Sequence, residues 1–465
     1  MSLKRPVIAI LVTLDTKEGE GFFLKERIEA NGGLGFLIDI SMRKHEPRLG
    51  KADVSNELLV KLAGYSIEEL NDMDRADAQE IIARGALTLL KSKVASGEVD
   101  GVVGIGGSTG LGLVSMIMRE LPMLMPKIVV TTAVSEACSA VLGSDITIVW
   151  SITDFSGGTS LNSIEAEVLN KVAAMIVKAS SPTPVSIEKK PMILASQFGN
   201  TTPFIMVSKE ILSSKGYDFV SFHALGRTGG YVLEKLISSG VAVGVLDATT
   251  HELTDELFGG VLNASVGGVI RLTTAGKLGV PQVVLPGGVD QIVFWKPESV
   301  PEKFRSRCVY EHSKGLVTLV RATGDELYAV GKLMAERLNM SKGPTVVVFP
   351  LRGFGIIDND PNIKPVNFPS GAYCQELVFH EDKVVFKRTN KPWFNKESNL
   401  QFLKALLEYL DLSKPNIDLI VVDHNINEPE VAILSSEILH NMIKGVWRKG
   451  WTPRVPNLRI IQETN

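Results

Sequence analysis

Cysteine is almost missing from this 465-residue chain: three occur, Cys138, Cys308 and Cys374, far apart and without a CxxC pair. That spacing argues against a disulfide framework or a zinc cluster and favours a reducing compartment. An excess of one charge is missing too, with 49 Lys and Arg against 52 Asp and Glu. No overall basic field is available to hold nucleic acid or an anionic membrane surface, so neither partner is expected. Long hydrophobic runs are also scarce. The best candidate, residues 101–118, is uncharged but interrupted by glycines around Ser108 and Thr109, and reads as strand, glycine loop and helix rather than as a membrane span. The apolar run after Lys4 and Arg5 is too short and wrongly followed for a signal peptide, so a cytoplasmic location is expected.

With 45% hydrophobic and 22% charged residues, the chain has what a folded protein needs and length for two or three domains. Glycine, at 42 residues, collects directly after short β-branched runs. Residues 7–14, 99–105, 127–132, 191–196, 241–246, 281–285, 344–349 and 417–422 read as parallel strands buried on both faces. Helical spacing lies between them, as in Val168, Leu169, Val172 and Ile176, or Leu400, Leu403, Leu406, Leu407 and Leu410. Strands alternating with helices predict an α/β fold built from βαβ units. The Ser-, Pro- and Lys-rich stretch 178–191 cannot continue a helix. It sets an N-terminal domain at 1–180, a linker at 181–190, a C-terminal domain at 191–446 and a tail at 447–465. The two halves begin alike, KRPVIAILVTLDT at Lys4 and KKPMILASQFGNT at Lys189.

Ligands of open parallel sheets gather beyond the carboxyl ends of strands, so the polar residues found there are the candidates. Thr13, Asp15, Thr16 and Lys17 follow the first strand: Lys17 and Thr16 suit a phosphate, and Asp15 suits Mg2+ or a ribose hydroxyl. Asp15 or Thr16 would equally serve as a helix cap. Gly106, Gly107, Ser108, Thr109 and Gly110 could form a nest of N–H groups for an anion, or simply a tight turn. The loop is neither GxGxxG nor a P-loop. Thr131, Thr132 and Asp154 add hydroxyls and a carboxylate at the same edge. In the second half, His223 with Gly226, Gly229 and Gly230 repeats the strand-loop-helix form. Asp247, Thr249, Thr250, His251 and Glu252 end the next strand, and Gly287 and Asp290 the one after. Arg352 is a further anion contact. His223, Asp247, His251 and Asp290 could serve acid/base chemistry, although no fixed spacing supports a metal set. The alternative for this stretch is helix capping by Asp247 or Thr249 with a solvated His251.

The phrases VTLDTKEGE, GIGGSTG, SDITIVWSITDFSG, FHALGRTGGYVLEKL, LDATTHELTDELFGG, GVPQVVLPGGVDQIVFW, VVFPLRGFGIIDND and HNINEPEVA occur in this order. Together they resemble the ATP-binding family that includes the inhibitory N-terminal region of the tomato mosaic virus resistance protein, with bacterial, archaeal and fungal members. The resemblance implies two Rossmann-like domains, each with a mostly parallel sheet flanked by helices. It also implies ATP held by the N-terminal domain and self-association into a homo-oligomer, dimer or tetramer. The leading expectation is ATP, with Mg2+, bound through Lys17 and the 106–110 amides. A rival is an enzyme acting on a small anionic metabolite in the second domain or the cleft between domains, with His223 or His251 as acid/base. A third reading is a nucleotide-gated interaction protein.

Overall fold

The computed structural model describes residues 4–182, 188–381 and 383–461. It divides into two compact units, Met1–Ile187 and Glu188–Asn465. Part of the expected linker, 183–187, lies outside the described residues.

In the first unit the β-branched runs become β1 (Val7–Val12), β2 (Leu34–Asp39), β3 (Gly101–Gly106), β4 (Lys127–Thr131) and β5 (Thr147–Trp150), a parallel sheet ordered β2-β1-β3-β4-β5. Alternate residues feed two cores. Ala9, Leu11 and Val102 pack with Ile82 and Ala86 of helix Arg75–Ala95 and Leu113 and Ile117 of helix Ser108–Met118. Ile8, Ile10 and Val103 pack with Leu24 of helix Leu14–Ala30 and Val172 and Ile176 of helix Ser163–Ser180. A sheet covered on both faces is what runs apolar at every position require.

The second unit repeats the plan and then departs from it. Strands β6 (Met192–Gln197), β7 (Asp218–His223), β8 (Ala242–Thr249) and β9 (Gln282–Gly287) are parallel, like the later β13 (Thr345–Pro350) and β16 (Ile417–Val422). Between and after them come β10 (Gln291–Phe294), β11 (Val309–Ser313), β12 (Val317–Arg321), β14 (Tyr373–Phe379), β15 (Val384–Pro392) and β17 (Ile460–Ile461). The seven-stranded sheet runs β17-β16-β13-β9-β8-β6-β7, while β10-β12-β11-β14-β15 form a separate antiparallel sheet.

Both sheets of the βαβ kind are α/β layers flanked by helices, as expected. The antiparallel sheet was not, because its strands lack an all-apolar signature: β15 reads VVFKRTNKP and faces solvent along much of its length. The described part of the expected tail, 447–461, is a packed part of the fold. Trp447 and Val455 join the core, and β17 pairs antiparallel with β16. The leucine stripe 400–410 is rotated: Asn399, Phe402, Ala405 and Leu406 are buried, whereas Leu400 and Leu407 are exposed. Cys308 and Cys374 form a disulfide across a sequence separation of 66 residues. This single bridge runs against the expectation drawn from the cysteine spacing and removes the premise for a reducing compartment. The two come together through the β11–β14 pairing, where Val309 sits opposite Gln375. Cys138 is free and exposed.

Candidate functional site

In the first unit β2 lies on one side of β1 and β3 on the other, so the chain reverses its direction of winding between β1 and β3. A crevice opens at the carboxyl edge of such a reversal. A cavity of about 420 Å³ is found there, lined by Thr13, Asp15, Thr16 and Lys17 from the β1 end and Gly107, Ser108, Thr109 and Gly110 from the β3 end. That volume falls in the range of small-molecule sites.

Its walls follow from local chemistry. The Leu111 N–H donates to the Gly107 carbonyl at 2.7 Å, the first helical bond of Ser108–Met118. The amides of Ser108 to Gly110 therefore open the helix without an intrahelical acceptor, at its positive end. Gly106 must lack a side chain, since a Cβ there would stand 2.6 Å from backbone atoms of Gly110, whereas one at Gly107 would meet only Thr132 Oγ1 at 3.5 Å. Across the crevice the helix Leu14–Ala30 is interrupted at Lys17 (φ −133°, ψ 43°). The amides of this turn are already used: Thr16 and Lys17 donate to the Thr13 carbonyl, Leu14 to Asp39 and Asp15 to Ser41. What the β1 end offers is side chains, with Thr13 and Thr16 hydroxyls 3.1 Å apart and Lys17 Nζ 3.4 Å from Thr16 Oγ1.

Sequence reasoning missed the third wall. Met42, Arg43, Leu70, Met73, Asp74, Arg75 and Ala78 also line the cavity. Lys17, Arg43 and Arg75 bring three positive charges to it, and none of them forms an ion pair among the described residues. Asp74 caps helix Arg75–Ala95, accepting from the Asp77 N–H at 2.9 Å. Arg75 is thus the first helical residue, a position where the helix dipole disfavours a cation. That mismatch was readable in DMDRADAQE. Of the other expected residues, Thr131 is buried and accepts from the Ala133 N–H, while Asp154 accepts from the Phe155 N–H. Neither they nor Thr132 line the cavity.

The second-half candidates form a different kind of place. Arg271, also missed from the sequence, is fully buried and donates to Asp247 through both Nη1 and Nη2 at 2.6 Å, to Glu252 at 2.6 Å and to Glu234 at 3.4 Å. Glu252 in turn accepts from the amides of Gly226 and Gly230, and Ser196 donates to Asp247. The histidine-glycine loop is therefore tied to a structural carboxylate. Gly229 and Gly230 are glycine because a Cβ would collide with the His223 carbonyl and with Glu252, and Gly287 because it would collide with the Ala248 carbonyl. Thr249 bonds Thr201, and Thr250 donates to the Leu285 carbonyl. Arg352 is not a free anion contact, since its guanidinium is held bidentate by Asp423 at 2.9 and 2.7 Å. His251 is not solvated but fully buried, and His223 is exposed. Asp290 accepts from Trp393 Nε1 at 2.6 Å. His424, Glu428 and Glu430 cluster closely enough for a cation. However, His424 Nδ1 is engaged by Glu428 and Nε2 accepts from the Arg459 N–H.

Family models of an uncharacterised protein family, UPF0261, match both units: the N-terminal domain at residues 6–183 and the C-terminal domain at 190–365. The chain belongs to this family. A UPF0261 protein of Clostridium tetani is 35% identical over 94% of this chain and 99% of its own length. Another from Rhizobium meliloti is 35% identical over 76% and 85%. The ToMV resistance protein Tm-1(GCR237) of Solanum lycopersicum is 31% identical over 61% of this chain and 38% of that protein. A UDP-N-acetylglucosamine 2-epimerase from Rickettsia bellii is similar in structure over 60% of this chain and 79% of that one, at 12% identity and a TM-score of 0.21. So loose a likeness carries nothing about activity. Among the described residues no helix is long and apolar enough to cross a membrane.

Proposed function

We propose that the first unit binds a nucleotide triphosphate, ATP in the first instance, in the crevice between the ends of β1 and β3. The observation that carries this reading is the set of three cations, Lys17, Arg43 and Arg75, lining one cavity together with the start of helix Ser108–Met118. Cations gathered without ion-pair partners repel one another, and an anion with several charges relieves that repulsion. Met42, Leu70, Met73 and Ala78 give the same cavity an apolar side for a base or sugar. The oxygen donors Asp15, Asp74, Thr16 and Ser108 fit a hard Mg2+ accompanying the phosphates. Such a cation would neutralise part of the phosphate charge, while the chain's own groups fix where the phosphates lie.

Titration calorimetry of the whole protein tests this. ATP should bind, adenosine should bind far more weakly, and Lys17→Ala combined with Gly107→Asp should abolish the heat of ATP binding. The fold should survive, because a Cβ added at Gly107 meets nothing closer than Thr132 Oγ1 at 3.5 Å. Unchanged affinity in that double variant overturns the assignment. A second reading, self-association, is favoured by the open edge of the first sheet. Its edge strand β5 is accompanied by Trp150, Ile152 and Leu124, exposed by 58%, 56% and 91%, and an apolar, unpaired strand edge is a template for another chain. Light scattering of Trp150→Lys should report a lower mass than the parent protein.

A further inference from the structure

A buried polar group without a hydrogen-bond partner costs about 1–3 kcal/mol, and the second unit concentrates such groups at one place. His251 is fully buried with neither ring nitrogen partnered, and Gln291 is fully buried with both ends of its carboxamide unpartnered. The two side chains flank Gly288, where an added Cβ would stand 3.2 Å from His251 Cβ and 3.7 Å from Gln291 Nε2. Phe198 stacks on the His251 ring with centroids 4.6 Å apart. Phe198 and Gly288 directly follow the carboxyl ends of β6 and β9, and His251 stands two residues beyond that of β8. In this sheet β7 lies on one side of β6 while β8 and β9 lie on the other. His251 and Phe198 therefore meet where the winding of the second sheet reverses, the position that holds ligands in open α/β sheets.

Charge then selects the kind of ligand. The nearby guanidinium, Arg271, already faces Asp247, Glu252 and Glu234, so it has no positive charge to spare for an anion. Burial, followed by the charges of Arg271 and His223, pushes His251 down to about 3 and keeps it neutral at physiological pH. A buried anion here would lose its water and gain no ionic partner. A neutral imidazole and a carboxamide instead supply N–H donors and lone-pair acceptors side by side.

We propose that His251 and Gln291 are the recognition groups of a second ligand site, formed at the carboxyl ends of β6, β8 and β9, that takes a small uncharged molecule bearing a carboxamide. His223 and His312 stand at its exposed side, with ring centroids 5.4 and 6.5 Å from Phe198. The site shares no residue with the anion crevice of the first unit, so either assignment can fail alone.

The test uses the whole protein labelled with 15N-histidine, with the His251 ring signals identified by their loss in His251→Phe. Acetamide and nicotinamide are the probes, acetate and phosphate the charged controls. The expected result is a saturable shift of the His251 nitrogens with at least one amide probe, half-complete at or below ~10 mM, and none with either anion. Gln291→Leu should keep the His251 signals, lose the probe-induced shift and raise the thermal midpoint, because an apolar side chain of similar size replaces an unpartnered amide. No saturable shift with either amide overturns the proposal, as does an equal shift with acetate. A full shift retained in Gln291→Leu also overturns it.

Discussion

The two winding reversals of this protein occupy equivalent positions in two similar sheets, yet they treat charge in opposite ways. Between β1 and β3, Lys17, Arg43 and Arg75 stand around an open cavity with no ion-pair partner among the described residues. Between β6 and β8 the cation is Arg271, buried and enclosed by Asp247, Glu252 and Glu234. The antiparallel sheet accounts for much of the difference. Its Val293 and Leu319 pack with Phe198, Leu262 and Trp393, which sets the end of β6 against a core and leaves only the side of His223 and His312 exposed. Equivalent topology therefore yields a cavity lined by cations without ion-pair partners among the described residues in one unit and a buried, already neutralised cation in the other. A cation is a binding group only where the fold has left it unneutralised.

Replacing the two kinds of cation should produce opposite results. Arg271→Met would leave three buried carboxylates facing one another and should destabilise the second unit by about 3–5 kcal/mol. Urea unfolding followed by the buried Trp393 would show this, and a loss under ~1 kcal/mol would erase the distinction drawn between the crevices. Lys17→Ala, Arg43→Ala and Arg75→Ala should each weaken ATP binding on the order of tenfold, about 1.4 kcal/mol. Their effect on the unfolding free energy of the first unit should stay within about 0.5 kcal/mol. Calorimetry and urea melts of the same samples provide both numbers.

Acidity separates the units as well. Burial pushes Asp255 up to about 8, against the amides of Val293 and Leu262 that donate to it. A group whose folded value is raised is stabilising below its unfolded value, and that contribution is lost as pH rises through the folded one. His251, held near 3, acts in the opposite sense. It loses stability as pH falls below the ordinary histidine value. The two oppose each other in the mildly acidic range; above about 6.5 only the carboxyl of this pair still titrates, joined up to about 7 by Asp358, which burial also raises. The second unit should therefore weaken between pH 6.5 and 8 by up to about 1.4 kcal/mol per pH unit for one proton. Asp255→Asn should flatten that slope even while lowering the midpoint; an unchanged slope would assign the effect elsewhere.

What is legible in the sequence is set by distance along the chain. The parallel strands are readable because each is a local apolar run, and the residues at their carboxyl ends come with them, so Lys17 and the 107–110 loop fall at one sheet edge on local pattern alone. Arg43 and Arg75 do not, because they reach that cavity from a separate excursion between β2 and β3. Arg271 escapes for a related reason: it is one charge in the stretch VIRL, and its three partners come from residues 234, 247 and 252. The antiparallel sheet escapes because half-exposed strands carry no continuous apolar signal, and with it goes the Cys308–Cys374 pairing. Asp247 and Glu252 are readable as polar groups at strand ends, but nothing local distinguishes a carboxylate awaiting a ligand from one already holding an arginine.

The smallest expected effect is also the sharpest. Arg75 occupies the first position of helix Arg75–Ala95, where the exposed amides and the helix dipole favour a negative side chain. If Arg75 is retained for an anion rather than for the fold, reversing its charge should improve stability and remove function together. Arg75→Glu should raise the stability of the first unit by ~0.3–1 kcal/mol, seen as a small rise in the melting of the unit that contains Trp150, while ATP binding falls below detection. A destabilised first unit would show that Arg75 supports the fold after all. Undiminished ATP binding would show that the crevice between β1 and β3 does not depend on its charge.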